Sequence, residues 1–134
     1  MTREDKELLL KDLCSRLPYG VKIEVVENND FSSIEELDCY YLNRVGNNFY
    51  SIKPYLFPLS SMTEEQWNNS PRVNLTNFTF ESLKCGCFTL AYYTCENDLY
   101  DLVEFINWLI KNHFDIYGLI PMNLAIDCTN LNIY

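Results

Sequence analysis

The chain has 134 residues, 48% of them hydrophobic and 15% aromatic, with a formal charge of −9 and a pI of about 4.4. That is the length of one ordinary domain with enough apolar material for a packed core, which excludes a disordered chain. The carboxylate excess repels phosphate backbones and argues against nucleic-acid binding, and no apolar run approaches the ~18 residues of a membrane span.

The segment 1–17 is neutral, because Arg3, Lys6, Lys11 and Arg16 offset Glu4, Asp5, Glu7 and Asp12. Residues 18–134 therefore carry the whole negative charge, which serves solubility or marks an acidic surface made for a basic protein groove. The N-terminus is charged and mixed in sign, without the apolar stretch of a secretory signal, and predicts a cytoplasmic protein. In that setting the six cysteines read as free thiols, mostly small buried hydrophobes, and no structural disulfide is expected.

In chain order, Thr2 with Asp5 three residues on is a cap signal, and Leu9, Leu13 and Leu17 recur on one helical face joined by Leu10. This predicts a helix over about 3–17, stopped by Pro18-Tyr-Gly20. Val21, Ile23 and Val25 alternate with Lys22, Glu24 and Val26 as a half-buried strand. Phe31–Ile34, Cys39–Val45 and Phe49–Ile52 read as short strands of an antiparallel meander, with a helix over Ile34–Leu42 as the competitor. Lys53-Pro-Tyr-Leu-Phe-Pro58 must be extended or turned, since prolines stand at 54 and 58, and its apolar content places it across the core.

Thr63-Glu-Glu-Gln66 is a capping box and predicts a short helix near 64–68, ended by Asn68-Asn-Ser-Pro71. Leu83–Thr94, rich in Cys, Phe, Tyr and Thr, reads as a late strand. Asn97 caps a second long helix over about 98–112, whose apolar stripe is Leu99, Leu102, Val103, Ile106, Leu109 and Ile110. Leu124–Cys128 can form a last short strand. The expected architecture is a single α+β domain over 1–134, a small antiparallel sheet with two long helices packed on one face. Its core is Leu9, Leu13, Leu17, Val21, Ile23, Val25, Leu102, Ile106 and Leu109.

Three blocks, Met1–Ile23, Lys53–Gln66 and Asn107–Asp127, are distinctive strings covering about half the chain. On them the chain resembles a group of short hypothetical proteins of gut anaerobic bacteria and their phages and mobile elements. The resemblance implies an accessory protein of a bacterial or phage cytoplasm. It carries over no activity, cofactor or catalytic residue.

Among chemical groupings, Cys85-Gly-Cys87 could share a soft metal with Cys95 and His113, or be two small core residues of a strand. One pair without a second at ordered spacing leaves no metal and no cofactor as the expectation. His113-Phe-Asp115 holds the only histidine, either a general base oriented by a carboxylate or a helix-ending residue near the last carbonyls. Glu35-Glu36-Asp38 and Glu64-Glu65 read as solvated turn and helix-start residues, and no glycine-rich phosphate cradle accompanies them.

Tyrosine is enriched at recognition surfaces. In strands, Tyr40 and Tyr41 would face opposite ways, as would Tyr92 and Tyr93, so each pair would offer one ring to a partner. Tyr40, Tyr41, Tyr92 and Tyr93 are therefore the candidate partner-binding residues. The expected function is a protein-binding accessory module. The alternative is a small hydrolase or transferase using His113, Asp115 and nearby carboxylates.

Overall fold

The computed structural model describes residues 1–28, 30–71, 79–84 and 99–134. The protein is α+β, and the chain divides into two compact units, Met1–Leu56 with Tyr117–Tyr134, and Phe57–Ile116.

The first unit opens with helix α1, Arg3–Arg16. Its capping box forms as the sequence signals: Thr2 Oγ1 accepts the Asp5 N–H at 3.0 Å, and Asp5 Oδ2 accepts the Thr2 N–H at 3.1 Å. A 3-10 turn at Leu17–Tyr19 ends it, and Gly20 supplies the left-handed residue, φ 68°, that redirects the chain. Strands β1, Lys22–Glu27, and β2, Phe31–Glu36, form an antiparallel hairpin. Strand β3, Tyr50–Leu56, pairs antiparallel with the other side of β1, and β4, Ile126–Asp127, adds a short parallel pairing to β3. The order is β2-β1-β3-β4, so the three long strands are antiparallel and the sheet as a whole is mixed.

Residues 39–45 are not the expected strand. Helix α2, Cys39–Leu42, forms there because the Asp38 side chain accepts the Tyr41 N–H at 3.1 Å and caps a helical turn. Local side-chain capping overrides the β preference of a Cys-Tyr-Tyr run.

The register explains how Pro54 is accommodated inside β3. The Asn28 N–H donates to the Phe49 carbonyl, so hydrogen-bonded pairs between β1 and β3 fall at 28–49, 26–51 and 24–53 by the antiparallel alternation. Pro54, opposite Ile23, stands between such pairs, and its nitrogen faces the β4 side. The described pairing with β4 begins only at Tyr55, so the missing N–H breaks no rung.

The core of this unit joins Leu9 and Leu13 of α1 to Val21, Ile23, Val25, Ile52, Leu56, Leu119 and Leu124. Leu17 packs against this cluster but is only half-buried. Asp12 and Arg16 are fully buried on the inner side of α1, where Arg16 holds Asp12 through two bonds, Nε–Oδ2 at 2.8 Å and Nη2–Oδ1 at 2.9 Å. Their charges cancel inside the core and not on the surface.

In the second unit, helix α3, Glu64–Asn69, carries the expected capping box between Thr63 and Gln66. Helix α4, Phe80–Lys84, takes the place of the start of the expected strand, so Leu83 and Lys84 are helical. Thr79 Oγ1 accepts the Ser82 N–H and supplies the cap. The rest of that run, 85–94, lies outside the described residues, as does the Asn97 cap.

Helix α5, Leu99–Lys111, buries Leu102, Phe105, Leu109 and Ile110, with Ile106 half-buried. Phe105 takes the place expected for Val103, which is exposed. The aromatic ring draws the stripe round because Phe105 meets Trp67 edge-on at 6.2 Å and stacks with Trp108 at 6.2 Å. Met62, Trp67, Leu83 and Phe114 complete this cluster.

Candidate functional site

Helix α2 brings Tyr40 and Tyr41 together. Their rings meet edge to face at 5.1 Å, where a strand would have sent them to opposite faces. Arg44 stands in the turn that follows α2, four residues after Tyr40. Its guanidinium lies 3.3 Å from the Tyr40 ring centroid, 5.6 Å from that of Tyr50, and donates to the Tyr40 carbonyl at 2.6 Å. Tyr50 in turn meets Phe49 at 5.2 Å. One continuous surface thus runs Tyr41, Tyr40, Arg44, Tyr50, Phe49.

The sheet register extends this surface. Glu27 of β1 stands opposite both Phe31 and Tyr50, so Phe31 lies across Glu27 from Tyr50 on the same sheet face. Phe31, Tyr40 and Phe49 are 62%, 52% and 45% exposed. Tyr41 and Tyr50 are half-buried and lean on the core. Carboxylates border the patch. Burial raises the Tyr41 phenol above its usual range, and the charges of Glu35, Asp38 and Glu27 push it the same way.

Two of the four tyrosines singled out in the sequence therefore join one surface, and Tyr92 and Tyr93 lie outside the described residues. Arg44 and Phe49 were not legible as members. The available signal was the spacing of four between Tyr40 and Arg44, which becomes a contact where the chain coils through α2 and the turn after it.

His113 and Asp115 occupy the end of α5. The His113 N–H donates to the Ile110 carbonyl and the Phe114 N–H to the Leu109 carbonyl, with His113 at φ 67°. This is a Schellman ending, with Leu109 and Phe114 supplying its hydrophobic contact in the core. The same segment is held by Phe57, whose N–H donates to the His113 carbonyl at 2.8 Å and whose carbonyl accepts the Asp115 N–H at 2.9 Å. His113 is half-buried and Asp115 buried. The helix-ending reading of His113 accounts for its backbone.

Cys85, Cys87 and Cys95 lie outside the described residues. Among the described cysteines, Cys14 and Cys39 are exposed free thiols and Cys128 is buried, so burial is not their common state. Glu64 and Glu65 are exposed in the first turn of α3. Among the described residues, no group of three or more His, Cys, Asp or Glu side chains could hold a metal ion, and no helix is long and apolar enough to cross a membrane. No protein-family model, curated protein or solved structure matches the chain.

Proposed function

We propose that this protein is a protein-binding accessory module, of a bacterial or phage cytoplasm, that engages its partner through the Tyr40–Arg44–Tyr50–Phe49 surface. The observation that carries the reading is the grouping of exposed aromatic rings with an arginine held against them. Tyr and Arg are the residue types that dominate binding energy at interfaces, and a central aromatic group with a polar rim is the usual anatomy. The rings are braced by one another and by Arg44, so little side-chain freedom is lost on docking. Glu27, Glu35 and Asp38 beside the patch select a partner whose facing surface is basic or neutral. The exposed thiols of Cys14 and Cys39 suit a reducing compartment.

The test is affinity capture from a lysate of the native host, with wild type and a Tyr40→Ala/Arg44→Ala double variant run side by side. A protein retained by the wild type and lost with the variant supports the reading. Equal retention of every captured protein by a folded variant contradicts it.

A further inference from the structure

The first unit also carries a groove of about 630 Å³ between the start of α1, the 45–48 turn, the first half of β3 and the 122–124 turn. That volume lies within the range of small-molecule pockets, roughly 300–1,000 Å³. Its chemistry runs against the character of the chain. Arg3, Lys6 and Lys53 line it, three of the ten basic residues in a protein of charge −9. Among the described residues its one lining carboxylate is Asp5, and that group is engaged by the Thr2 N–H in the capping box.

The cations are placed rather than neutralised. Lys53 Nζ donates to Asn123 Oδ1 at 3.1 Å, a contact that orients the ammonium and leaves its charge. Arg3 meets Glu7 at 3.0 Å, but both side chains are exposed and such a pair is weak. Among the described residues Lys6 makes no ion pair. Its side chain crosses Gly46 so closely that a Cβ there would lie 2.5 Å from its Cδ and Cε. Gly46 has φ 82°, so glycine both permits the turn and leaves room for the lysine. The groove also has an apolar floor, since Leu9, Val45, Ile52 and Leu124 are buried members of the core that reach its lining.

We propose that this groove is a binding site for a small amphipathic organic anion, whose carboxylate or phosphate head meets Lys6, Lys53 and Arg3 while its apolar body lies on Leu9, Val45, Ile52 and Leu124. A cationic rim over an apolar floor recognises a head and a body together. The groove borders the aromatic surface proposed for protein binding, since Tyr50 lines one and belongs to the other.

The test is isothermal titration at low salt with three probes that share a chain, decyl phosphate, decanoate and decanol. Lys6→Gln, Lys53→Gln and, as a control outside the groove, Lys22→Gln are titrated beside the wild type, with circular dichroism confirming each fold. The expected result is one saturable site for at least one anion, with decanol about tenfold weaker or worse. Lys6→Gln and Lys53→Gln should each weaken the anion about tenfold, and Lys22→Gln should leave it unchanged. The head that binds more tightly identifies the phosphate or the carboxylate class. Three results would each overturn the assignment: no saturable binding of either anion, decanol binding as tightly as the anions, or Lys22→Gln weakening binding as much as the groove variants.

Discussion

The Tyr134 hydroxyl donates to the Tyr55 carbonyl at 2.9 Å and accepts the Lys22 N–H at 2.8 Å. Lys22 and Tyr55 are the next hydrogen-bonded pair expected beyond Glu24–Lys53 in the β1–β3 ladder. The phenol therefore stands in a rung of the sheet and fastens the 128–134 segment across two strands. Tyr134→Phe keeps the ring and deprives both backbone groups of this partner. We expect a loss of about 1 kcal/mol in urea unfolding, at the low end for an unsatisfied group because the residue is partly exposed. No change would mean that the two groups find water at no cost.

The same burial sets an alkaline limit. Burial pushes the phenols of Tyr134, Tyr55 and Tyr41 above their usual range and the thiol of Cys128 up to about 11. A group whose pKa is raised on folding contributes stability that is fully present below its unfolded value and is lost as pH rises through the folded one. For Cys128 that window runs from about 9 to about 11. The urea midpoint should fall across this range, and Cys128→Ala should flatten part of the fall. At pH 8, iodoacetamide should label Cys14 and Cys39 and spare Cys128, as read by peptide mass mapping.

Arg16 and Asp12 form a bidentate pair with no solvent exposure. Asp12→Asn takes the carboxylate charge away from this buried guanidinium, and we expect a cost of about 3–5 kcal/mol. Replacing both, as Asp12→Leu/Arg16→Met, should cost far less than the single change. Equal losses in single and double variants would show that other contacts of these residues dominate.

His113 holds a left-handed conformation that favours glycine. His113→Gly should raise stability by about 0.5–1 kcal/mol, read as a higher thermal midpoint, and should leave partner capture unchanged. Loss of capture in a stabilised variant would give the imidazole a role beyond ending the helix.

Local signals in this chain were the readable ones. The boxes at Thr2–Asp5 and Thr63–Gln66, the alternation Val21-Ile23-Val25 and the prolines at 54 and 58 each act within a few residues, and each element formed where they stood. Structure departs from expectation where one signal competes with another. Cys39–Val45 has the composition of a strand, but the Asp38 cap wins because it satisfies a backbone donor at once. Val103 and Phe105 were distinguishable only by what faces them, and Trp67 lies 38 residues away. The buried pair was hidden for a related reason. Asp12 and Arg16 read as surface charges unless their spacing of four is combined with the burial of Leu9 and Leu13 beside them. The aromatic surface joins α2 to β3 and the start of β2, so its unity is a property of the fold, and of its members the sequence singles out Tyr40 and Tyr41 alone.

The aromatic surface is tested most directly by the dissociation constant of the captured partner for the wild type and for Tyr40→Ala. Tyr117, exposed and in contact with Lys11, provides a control ring outside the patch. We expect Tyr40→Ala to weaken binding by about 2 kcal/mol, roughly thirtyfold, and Tyr117→Ala to leave it unchanged. An affinity for Tyr40→Ala within about twofold of wild type, in a variant that keeps its fold, would contradict the account.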